Sequence, residues 1–359
     1  MKSLLSLIIV FFTMALTVAA AEIVFPGTDW ETSLPEAQGI DSGKLNAAME
    51  HVKKICKSDG NSQCVVIRNG YLIWQGDDID RKHHVWSCTK SFTSTCLGLL
   101  WDDGKCSPQD KIARWIPELR EHYPDATLEH FATFTSGYNY DGGNVYAPLP
   151  PLFPLGTRMR YCAETEIISW ALTKAGGKKL KDLFAERVAK PLCFKNEDWD
   201  WVDYPVACHG EQLSGGSGES KAGIYITARQ MARLCWLFAN GGTWNGKRIV
   251  SQRYIDYACR PRVPVDLPPY QKDGWYKVLP GAYGLNWWTN GVNERGKRLW
   301  PDAPEDTFLL QGNLNNHCFI IPSWKMVIVR LGHDGNIDNY QYNDVFRLIK
   351  EGMSQTGTK

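Results

Sequence analysis

The chain has 359 residues, of which 43% are hydrophobic, and this is enough apolar material for a large folded core. Its 40 basic and 39 acidic side chains nearly cancel, and no run of Lys or Arg stands out. This balance argues against a nucleic-acid-binding protein and against a polybasic membrane-binding surface.

The first 21 residues have the pattern of a secretory signal peptide. Lys2 supplies the positive start, residues 4–18 form an apolar run, and residues 19–21 are all Ala and offer a cleavage site. The apolar run is shorter than the ~20 residues that a membrane span needs. We therefore expect cleavage and export to the periplasm or the extracellular space, with an uncleaved N-terminal anchor as the alternative. No later segment predicts a membrane span.

Eleven cysteines are scattered along the chain without a CxxC pair. Cys56 and Cys64 flank a polar turn and are candidates for a disulfide, but free buried thiols fit the other apolar positions equally well. Because the number of cysteines is odd, at least one thiol stays unpaired in a monomer.

The predicted elements begin with an amphipathic helix that starts near Ser42 and ends near Cys56. Two apolar, β-rich strings follow between residues 64 and 76, and Asn69 and Gly70 separate them. An Asn-Gly pair between two such strings is a strong signal for a β-hairpin. The order at this end of the chain is thus helix, then hairpin.

The middle of the chain is predicted to be mostly helical. A buried helix starts at Ser87 and stops near Gly104. Residues 105–210 contain many Gly and Pro residues between helical patterns, including a helix over 166–175, and we interpret this segment as a mostly helical lobe.

Strand-forming sequence returns after another helix over residues 227–240. Two β-rich runs, near residues 317–322 and 326–332, precede a C-terminal helix around residues 345–350. Sheet-forming segments at both ends with helices between them predict a single α/β (α+β) domain over residues 22–359. In that domain an antiparallel sheet is flanked by helices and carries the inserted lobe.

Ser87 and Lys90 form an S-x-x-K pair at the start of the buried helix. Spacing of i, i+3 places the ammonium over the hydroxyl. A serine hydroxyl needs a neighbour that removes its proton as it attacks, and Lys90 suits this role if its pKa is lowered. The alternative is a serine that caps the helix beside a solvated lysine.

Several motifs resemble those of the class C β-lactamase family, which also includes D,D-peptidases, esterases and 6-aminohexanoate-oligomer hydrolases. The nucleophile motif is matched by Trp86-Ser-Cys-Thr-Lys-Ser-Phe-Thr-Ser. Later stretches keep the family's order from about residue 40 to the end, and they include Phe131-Ala-Thr-Phe-Thr-Ser-Gly-Tyr, Arg160-Tyr-Cys-Ala-Glu and Asn240-Gly-Gly-Thr-Trp-Asn-Gly-Lys-Arg-Ile. The resemblance implies a β-lactamase/transpeptidase-like fold and a serine hydrolase.

The resemblance also implies the roles of particular residues. Tyr161 lies where the family has a tyrosine that shuttles a proton opposite the Ser-Lys pair. The third family motif is expected at Gln311 and Gly312, where Gln311 is a candidate substrate contact. Backbone near Asn315 and Asn316, with the N–H of Ser87, is expected to bind the oxyanion. No cofactor and no metal are implied, and the expected partner is a small-molecule, ester or peptide substrate.

Two positions depart from the family pattern. Ala163 stands where the family usually has Asn, and Gln311 stands where it often has Lys or His. The loss of an amide that steers the substrate and of a cation that binds a carboxylate both argue against β-lactam turnover. We therefore expect a Ser87 acyl-enzyme formed from an ester or another amide.

Other site classes have weaker support. The string from Gly215 to Glu219 lacks the last glycine of a G-x-S-x-G nucleophile elbow, and we interpret it as a flexible glycine loop. The eight histidines show no HExxH pattern. The main alternative function is a glycan- or peptide-binding protein that keeps the fold without turnover, which the many aromatic residues would suit.

Overall fold

The computed structural model describes residues 23–270, 280–335 and 337–355. The predicted signal peptide, residues 1–21, lies outside the described residues. Within the described ranges, no helix combines the length and the apolar character that crossing a membrane requires.

Eight α-helices and thirteen strands are assigned within the described residues. The helices are α1 (Ser42–Ile55), α2 (Thr89–Asp102), α3 (Leu128–Ala132), α4 (Thr165–Gly176), α5 (Leu180–Phe184), α6 (Ala228–Ala239), α7 (Gln252–Ala258) and α8 (Asn343–Gln355). The strands are β1 (Cys64–Arg68), β2 (Tyr71–Gln75), β3 (His83–His84), β4 (Asn139–Asp141), β5 (Asn144–Leu149), β6 (Trp199–Val202), β7 (Gly223–Ile226), β8 (Thr243–Trp244), β9 (Lys247–Arg248), β10 (Trp288–Thr289), β11 (Phe308–Gly312), β12 (Asn316–Ile321) and β13 (Met326–Arg330).

The largest sheet joins the two ends of the chain. Its six strands lie in the order β10-β11-β12-β13-β1-β2, and every neighbouring pair is antiparallel. The first hairpin therefore pairs directly with β13, near the end of the chain. The predicted fold class, an antiparallel sheet flanked by helices, is confirmed.

The hairpin turn between β1 and β2 shows why the sequence signal there is strong. Asn69 and Gly70 have φ angles of 53° and 93°, a conformation that asparagine tolerates and glycine adopts freely. A Cβ on Gly70 would also lie 1.9 Å from the carbonyl oxygen of Val24. Both the turn geometry and the close approach of another segment require glycine at this position.

Helices cover both faces of the sheet, and alternate strand residues point to opposite layers. Val66 and Phe319 pack in the layer that contains α1 and α8. Their neighbours Val65 and Cys318 pack in the opposite layer, which contains α2 and α6. This second layer continues into the inserted region, so α2 lies between the sheet and the lobe.

The inserted region contains more than helices. Within residues 105–210 the structure has α3, α4 and α5, but it also has the β4–β5 hairpin and strand β6. Strand β6 pairs with β7 in a three-stranded sheet of order β3-β7-β6. The helix predicted over residues 166–175 corresponds to α4.

Capping residues set the starts of α1 and α6. Asp41, rather than the predicted Ser42, is the N-cap of α1, and its carboxylate accepts from the backbone N–H of Lys44 at 2.8 Å. In α6 the hydroxyl of Thr227 accepts from the N–H of Gln230 at 3.3 Å. Aspartate is a favoured N-cap residue, and its negative charge is stabilising at a helix start.

All eleven cysteines are free thiols, and most are buried. The candidate disulfide between Cys56 and Cys64 is not formed, and Cys56 Sγ instead lies 3.6 Å from the hydroxyl of Tyr342. The buried thiols act as small core residues.

Candidate active site

Ser87 and Lys90 form a buried pair at the start of α2. Ser87 lies in a short 3₁₀ turn, Trp86–Cys88, that leads into the helix. The amine of Lys90 donates to Ser87 Oγ at 2.9 Å. Only 1% of Lys90 is exposed, so the alternative of a solvated lysine is wrong.

A backbone carbonyl holds Lys90 from the other side. Lys90 Nζ donates to the carbonyl oxygen of Ser217 at 2.7 Å. Burial lowers the pKa of Lys90, while the negative charges of Glu219 and Glu166 act in the opposite direction. Lowering of the pKa by burial favours the neutral amine, which is the form able to accept a proton.

Tyr161 approaches the same lysine from a distant part of the sequence. Lys90 Nζ lies 4.8 Å from the centre of the Tyr161 ring. The ring packs against Phe134 and Trp288, with centroid distances of 4.6 and 5.8 Å. The structure therefore brings together Ser87, Lys90 and Tyr161, the three residues predicted to carry the chemistry.

Gly312, the last residue of β11, lies against the backbone that carries Ser87. A Cβ at this position would lie 2.2 Å from the carbonyl oxygen of Val85 and 3.2 Å from the backbone nitrogen of Ser87. Only glycine lets the strand end approach so closely. The predicted third motif thus lies next to the nucleophile.

Gln311 belongs to a chain of side-chain hydrogen bonds at the pocket wall. Asn339 Nδ2 donates to Gln311 Oε1 at 2.8 Å, and Asn339 Oδ1 lies 2.9 Å from His317 Nε2. Burial lowers the pKa of His317 to about 4, so its ring is neutral near pH 7. These bonds direct the oxygen of Gln311 toward Asn339, and Gln311 lines the pocket.

The side chains of Asn315 and Asn316 hold the turn that follows Gly312, and the oxyanion role of their backbone stays a prediction. The side chain of Asn316 donates to the carbonyl oxygens of Asn313 and Gly332 at 2.6 and 3.1 Å. The side chain of Asn315 lines the pocket but donates to the carbonyl oxygen of Asp334 at 3.0 Å. Both side chains hold the β11–β12 turn, and the strand end closest to Ser87 is at Gly312.

The glycine-rich string from Gly215 to Glu219 is not the flexible loop that the sequence predicts. Residues 214–218 are buried, and the loop supplies the carbonyl that contacts Lys90. Glu166 of α4 accepts hydrogen bonds from this loop. The glycines suggested a flexible loop in the sequence. In the structure they allow the loop to pack closely against α2 and α4. The sequence signal for Glu166 is an acidic residue directly before the apolar pair Ile167 and Ile168 in a predicted helix.

A pocket of about 730 Å³ opens beside Ser87 and Tyr161. Its walls combine apolar residues with amide side chains, and they include Trp288, Val292, Leu299, Ile337, Gln311 and Asn313. Arg298 also lines it, but its guanidinium pairs with Glu305 at 2.8 Å. Lys297 and Asp338 also line the pocket. Such a lining suits a partly apolar chain with carbonyl or amide groups.

The two departures from the family pattern are visible at the site. Ala163 lies two residues before α4 and has no side-chain amide, and its carbonyl oxygen accepts from the N–H of Glu166 at 3.0 Å. Gln311 is uncharged. In the part of the chain that the structure describes, no three His, Cys, Asp or Glu side chains group as a metal site.

The profile of the β-lactamase family matches residues 68–345, which is most of the chain. The chain belongs to the β-lactamase family. One curated relative, the 6-aminohexanoate-dimer hydrolase of Paenarthrobacter ureafaciens, is 24% identical over 272 residues, and the alignment covers 65% of this chain and 66% of the relative. This β-lactamase-family chain therefore spans just under two thirds of that relative's length.

Solved structures share the fold of this β-lactamase-family protein. A penicillin-binding protein homologue from Caulobacter crescentus has a TM-score of 0.64 and 16% identity, with 86% of this chain and 98% of that chain covered. A family VIII carboxylesterase has a TM-score of 0.62 and 18% identity, with 88% and 98% covered. The family resemblance predicted from the motifs is confirmed.

Proposed function

We propose that this protein is a serine hydrolase that cleaves an ester or amide through an acyl-enzyme on Ser87. The supporting observation is the buried Lys90 amine, 1% exposed and 2.9 Å from Ser87 Oγ. An amine within hydrogen-bond reach of a hydroxyl, shielded from water, suits proton transfer during nucleophilic attack.

In the acylation step, neutral Lys90 takes the proton of Ser87 as Oγ attacks the carbonyl carbon. The Ser217 carbonyl keeps the amine in place by accepting one of its N–H groups. Tyr161, against Lys90, passes the proton to the departing oxygen or nitrogen as the ester or amide bond breaks. The carboxylic acyl group remains bonded to Ser87.

The oxyanion of the tetrahedral intermediate needs fixed donors. In this proposal they are the backbone N–H of Ser87 and the backbone that follows Gly312 at the end of β11. In deacylation, water attacks the acyl carbon and gives its proton to the same Lys90–Tyr161 pair. Ser87 Oγ then leaves with that proton, which releases the carboxylic acid.

We favour an ester or a linear amide over a β-lactam as the substrate. Ala163 offers no amide to orient a β-lactam side chain, and Gln311 offers no positive charge for its carboxylate. Two similar proteins are named as a 6-aminohexanoate-dimer hydrolase and a carboxylesterase, in agreement with this choice. The mixed amide and apolar pocket lining also supports it.

A fluorophosphonate probe tests the nucleophile directly. We expect the wild type to be labelled and Ser87→Ala to remain unlabelled. Ser91→Ala is the matched control, because it also removes a buried serine hydroxyl from α2. The hydroxyl of Ser91 donates to the carbonyl oxygen of Asn286 at 2.8 Å, whereas the hydroxyl of Ser87 accepts from Lys90 Nζ. If folded wild type stays unlabelled, the glycan- or peptide-binding alternative gains and the hydrolase proposal fails.

A substrate screen separates the possible acyl groups. The purified protein would be tested with a short-chain aryl ester, linear amides, a D-Ala-D-Ala peptide and a chromogenic cephalosporin. We expect turnover of the ester or a linear amide, abolished by Ser87→Ala. Fast hydrolysis of the cephalosporin, with slow turnover of the others, would contradict the substrate choice.

We further propose that the protein is exported after cleavage of residues 1–21. The support is the basic start, the apolar run and the three alanines of that segment. Sequencing the N-terminus of the protein from periplasmic or secreted fractions tests this. A mature protein that begins at Met1 in the cytoplasm would refute export.

A further inference from the structure

Glu166 is a buried carboxylate that is connected to the Ser87–Lys90 pair through Ser217. It lies near the start of α4 and is 0% exposed. The mechanism proposed above gives it no role. The hydrogen bonds of its carboxylate, however, go to the segment that holds Lys90, here called the Ser217 loop (residues 214–219).

Three donors of the Ser217 loop converge on this carboxylate. Oε2 of Glu166 accepts from the backbone N–H of Gly216 at 2.8 Å. Oε1 accepts from the N–H of Ser217 at 2.8 Å and from its hydroxyl at 2.6 Å. The Ser217 loop is therefore bonded to Glu166 on one side. On the other side, the carbonyl oxygen of Ser217 accepts a hydrogen bond from Lys90 Nζ at 2.7 Å.

We propose that Glu166 is a positioning residue for Lys90, because its ionised carboxylate fixes the Ser217 loop so that the Ser217 carbonyl holds the amine against Ser87. This inference rests on the proposed hydrolase function. It assigns Glu166 no contact with substrate, and its effect reaches the reaction only through the loop and Lys90.

The ionised form of Glu166 is essential to this role. Each of its two oxygens accepts a backbone N–H, and a backbone N–H cannot turn round to become an acceptor. A glutamine would place its NH₂ donor against one of these N–H groups, so one buried donor would lose its partner and the loop would have to move. Protonation of Glu166 would weaken the same bonds, because a neutral carboxylic acid accepts less strongly than a carboxylate.

Acid should therefore weaken the hydrogen bonds between Glu166 and the Ser217 loop in the wild type. Burial raises the pKa of Glu166 to about 7, although the loop hydrogen bonds and Lys90 favour its charged form. Other groups nearby are Glu219, which acts on Lys90, and Tyr146 and Tyr204, whose phenols stay neutral because burial raises their pKa values. Glutamine at position 166 should thus mimic, at alkaline pH, what the wild type becomes in acid.

The test compares rates of Ser87 labelling by a fluorophosphonate probe in the wild type and Glu166→Gln, from about pH 5 to about pH 9. We expect the wild type to react at least about tenfold faster at pH 8. The ratio should fall toward one below about pH 6, where Glu166 is protonated in the wild type. A ratio near one at pH 8, or a constant ratio across the range, would overturn the proposal.

Thr93→Val is the matched control. Thr93 of α2 anchors the same loop, since its hydroxyl donates to the carbonyl oxygen of Gly216 at 2.9 Å, but it does not titrate. We expect the ratio of wild type to Thr93→Val to be independent of pH. If this variant shows the same pH-dependent ratio as Glu166→Gln, the effect belongs to loop disruption in general and the proposal fails.

Ser217→Ala provides a second route if Glu166→Gln does not fold. It removes the hydroxyl donor to Glu166 and keeps the loop backbone, so the carboxylate takes up a proton at higher pH. The acidic loss of labelling should move up by about one pH unit. An unmoved profile would refute the role of Glu166, whereas a wild type that is never labelled would refute the hydrolase proposal itself.

Discussion

At the scale of single residues, Lys90 is the side chain on which the proposed chemistry depends. It is buried between Ser87 Oγ and the Ser217 carbonyl. Lys90→Met keeps the length and removes the base. We expect probe labelling and ester hydrolysis to fall about a hundredfold or more, because general-base catalysis is lost.

The control for this prediction is Lys105→Met, which removes an exposed amine just after α2. Circular dichroism and thermal unfolding would show that both variants are folded. Hydrolysis by Lys90→Met at more than about a tenth of the wild-type rate would show that another group deprotonates Ser87.

Asn339 holds Gln311, the candidate substrate contact, and we expect it to affect substrate binding and not the attack by Ser87. We expect Asn339→Leu to raise KM roughly fivefold, corresponding to about 1 kcal/mol for one lost hydrogen bond, while small-probe labelling of Ser87 is unchanged. Gln311→Leu should give a similar loss. The double variant should lose little more than either single variant, because the two side chains act as one unit. Fully additive losses would refute this coupling.

At the scale of elements, the sequence predicted those features that depend on residues close together in the chain. The Asn69-Gly70 turn, the 3.6-residue patterns of α1 and α6, and the S-x-x-K spacing all depend on contacts within one segment. The buried Ser217 loop escaped prediction because its packing partners, α2 and α4, are distant in sequence. A glycine-rich composition is the same for a mobile loop and for a buried loop that packs between two helices.

The approach of β11 to the start of α2 leads to a prediction about Gly312. Gly312→Ala would push a methyl group against the carbonyl oxygen of Val85, only 2.2 Å from where the new Cβ would lie. Backbone on both sides must shift, so we expect at least a tenfold loss of labelling and about 2 kcal/mol lower free energy of unfolding.

Urea unfolding and labelling rates would be measured together, with Gly142→Ala as the control. A Cβ at Gly142 meets nothing within 4 Å. If Gly312→Ala matches this control in both measurements, the end of β11 can accommodate a Cβ at position 312 and does not set the position of Ser87.

At the scale of the whole molecule, the order of elements was enough to predict the sheet and its flanking helices. Strands at both chain ends must pair, because each has an apolar face that only a shared sheet can bury. The strands inside the inserted region, such as β6, were not predicted. The partner of β6, strand β7, lies outside that region, and pairing between distant short strands leaves little local pattern.

Stability should also depend on pH through buried histidine. Burial lowers the pKa of His317 from 6.5 to about 4, so the folded protein keeps this ring neutral. The unfolded chain binds a proton there below about pH 6.5, and acid therefore favours unfolding between about pH 6.5 and about pH 4. Other groups titrate in this window as well, and the buried Glu166 acts in the opposite direction. The difference between two proteins isolates the contribution of His317.

We expect the free energy of unfolding of the wild type to drop by up to about 3 kcal/mol more than that of His317→Gln as the pH falls across this window. Glutamine preserves a donor toward Asn339 but binds no proton. Urea titrations of both proteins at about pH 7, 5.5 and 4 would measure the difference. Parallel curves would mean that the pKa of His317 in the folded protein is close to that in the unfolded chain, and the claim that burial lowers this pKa would then be wrong.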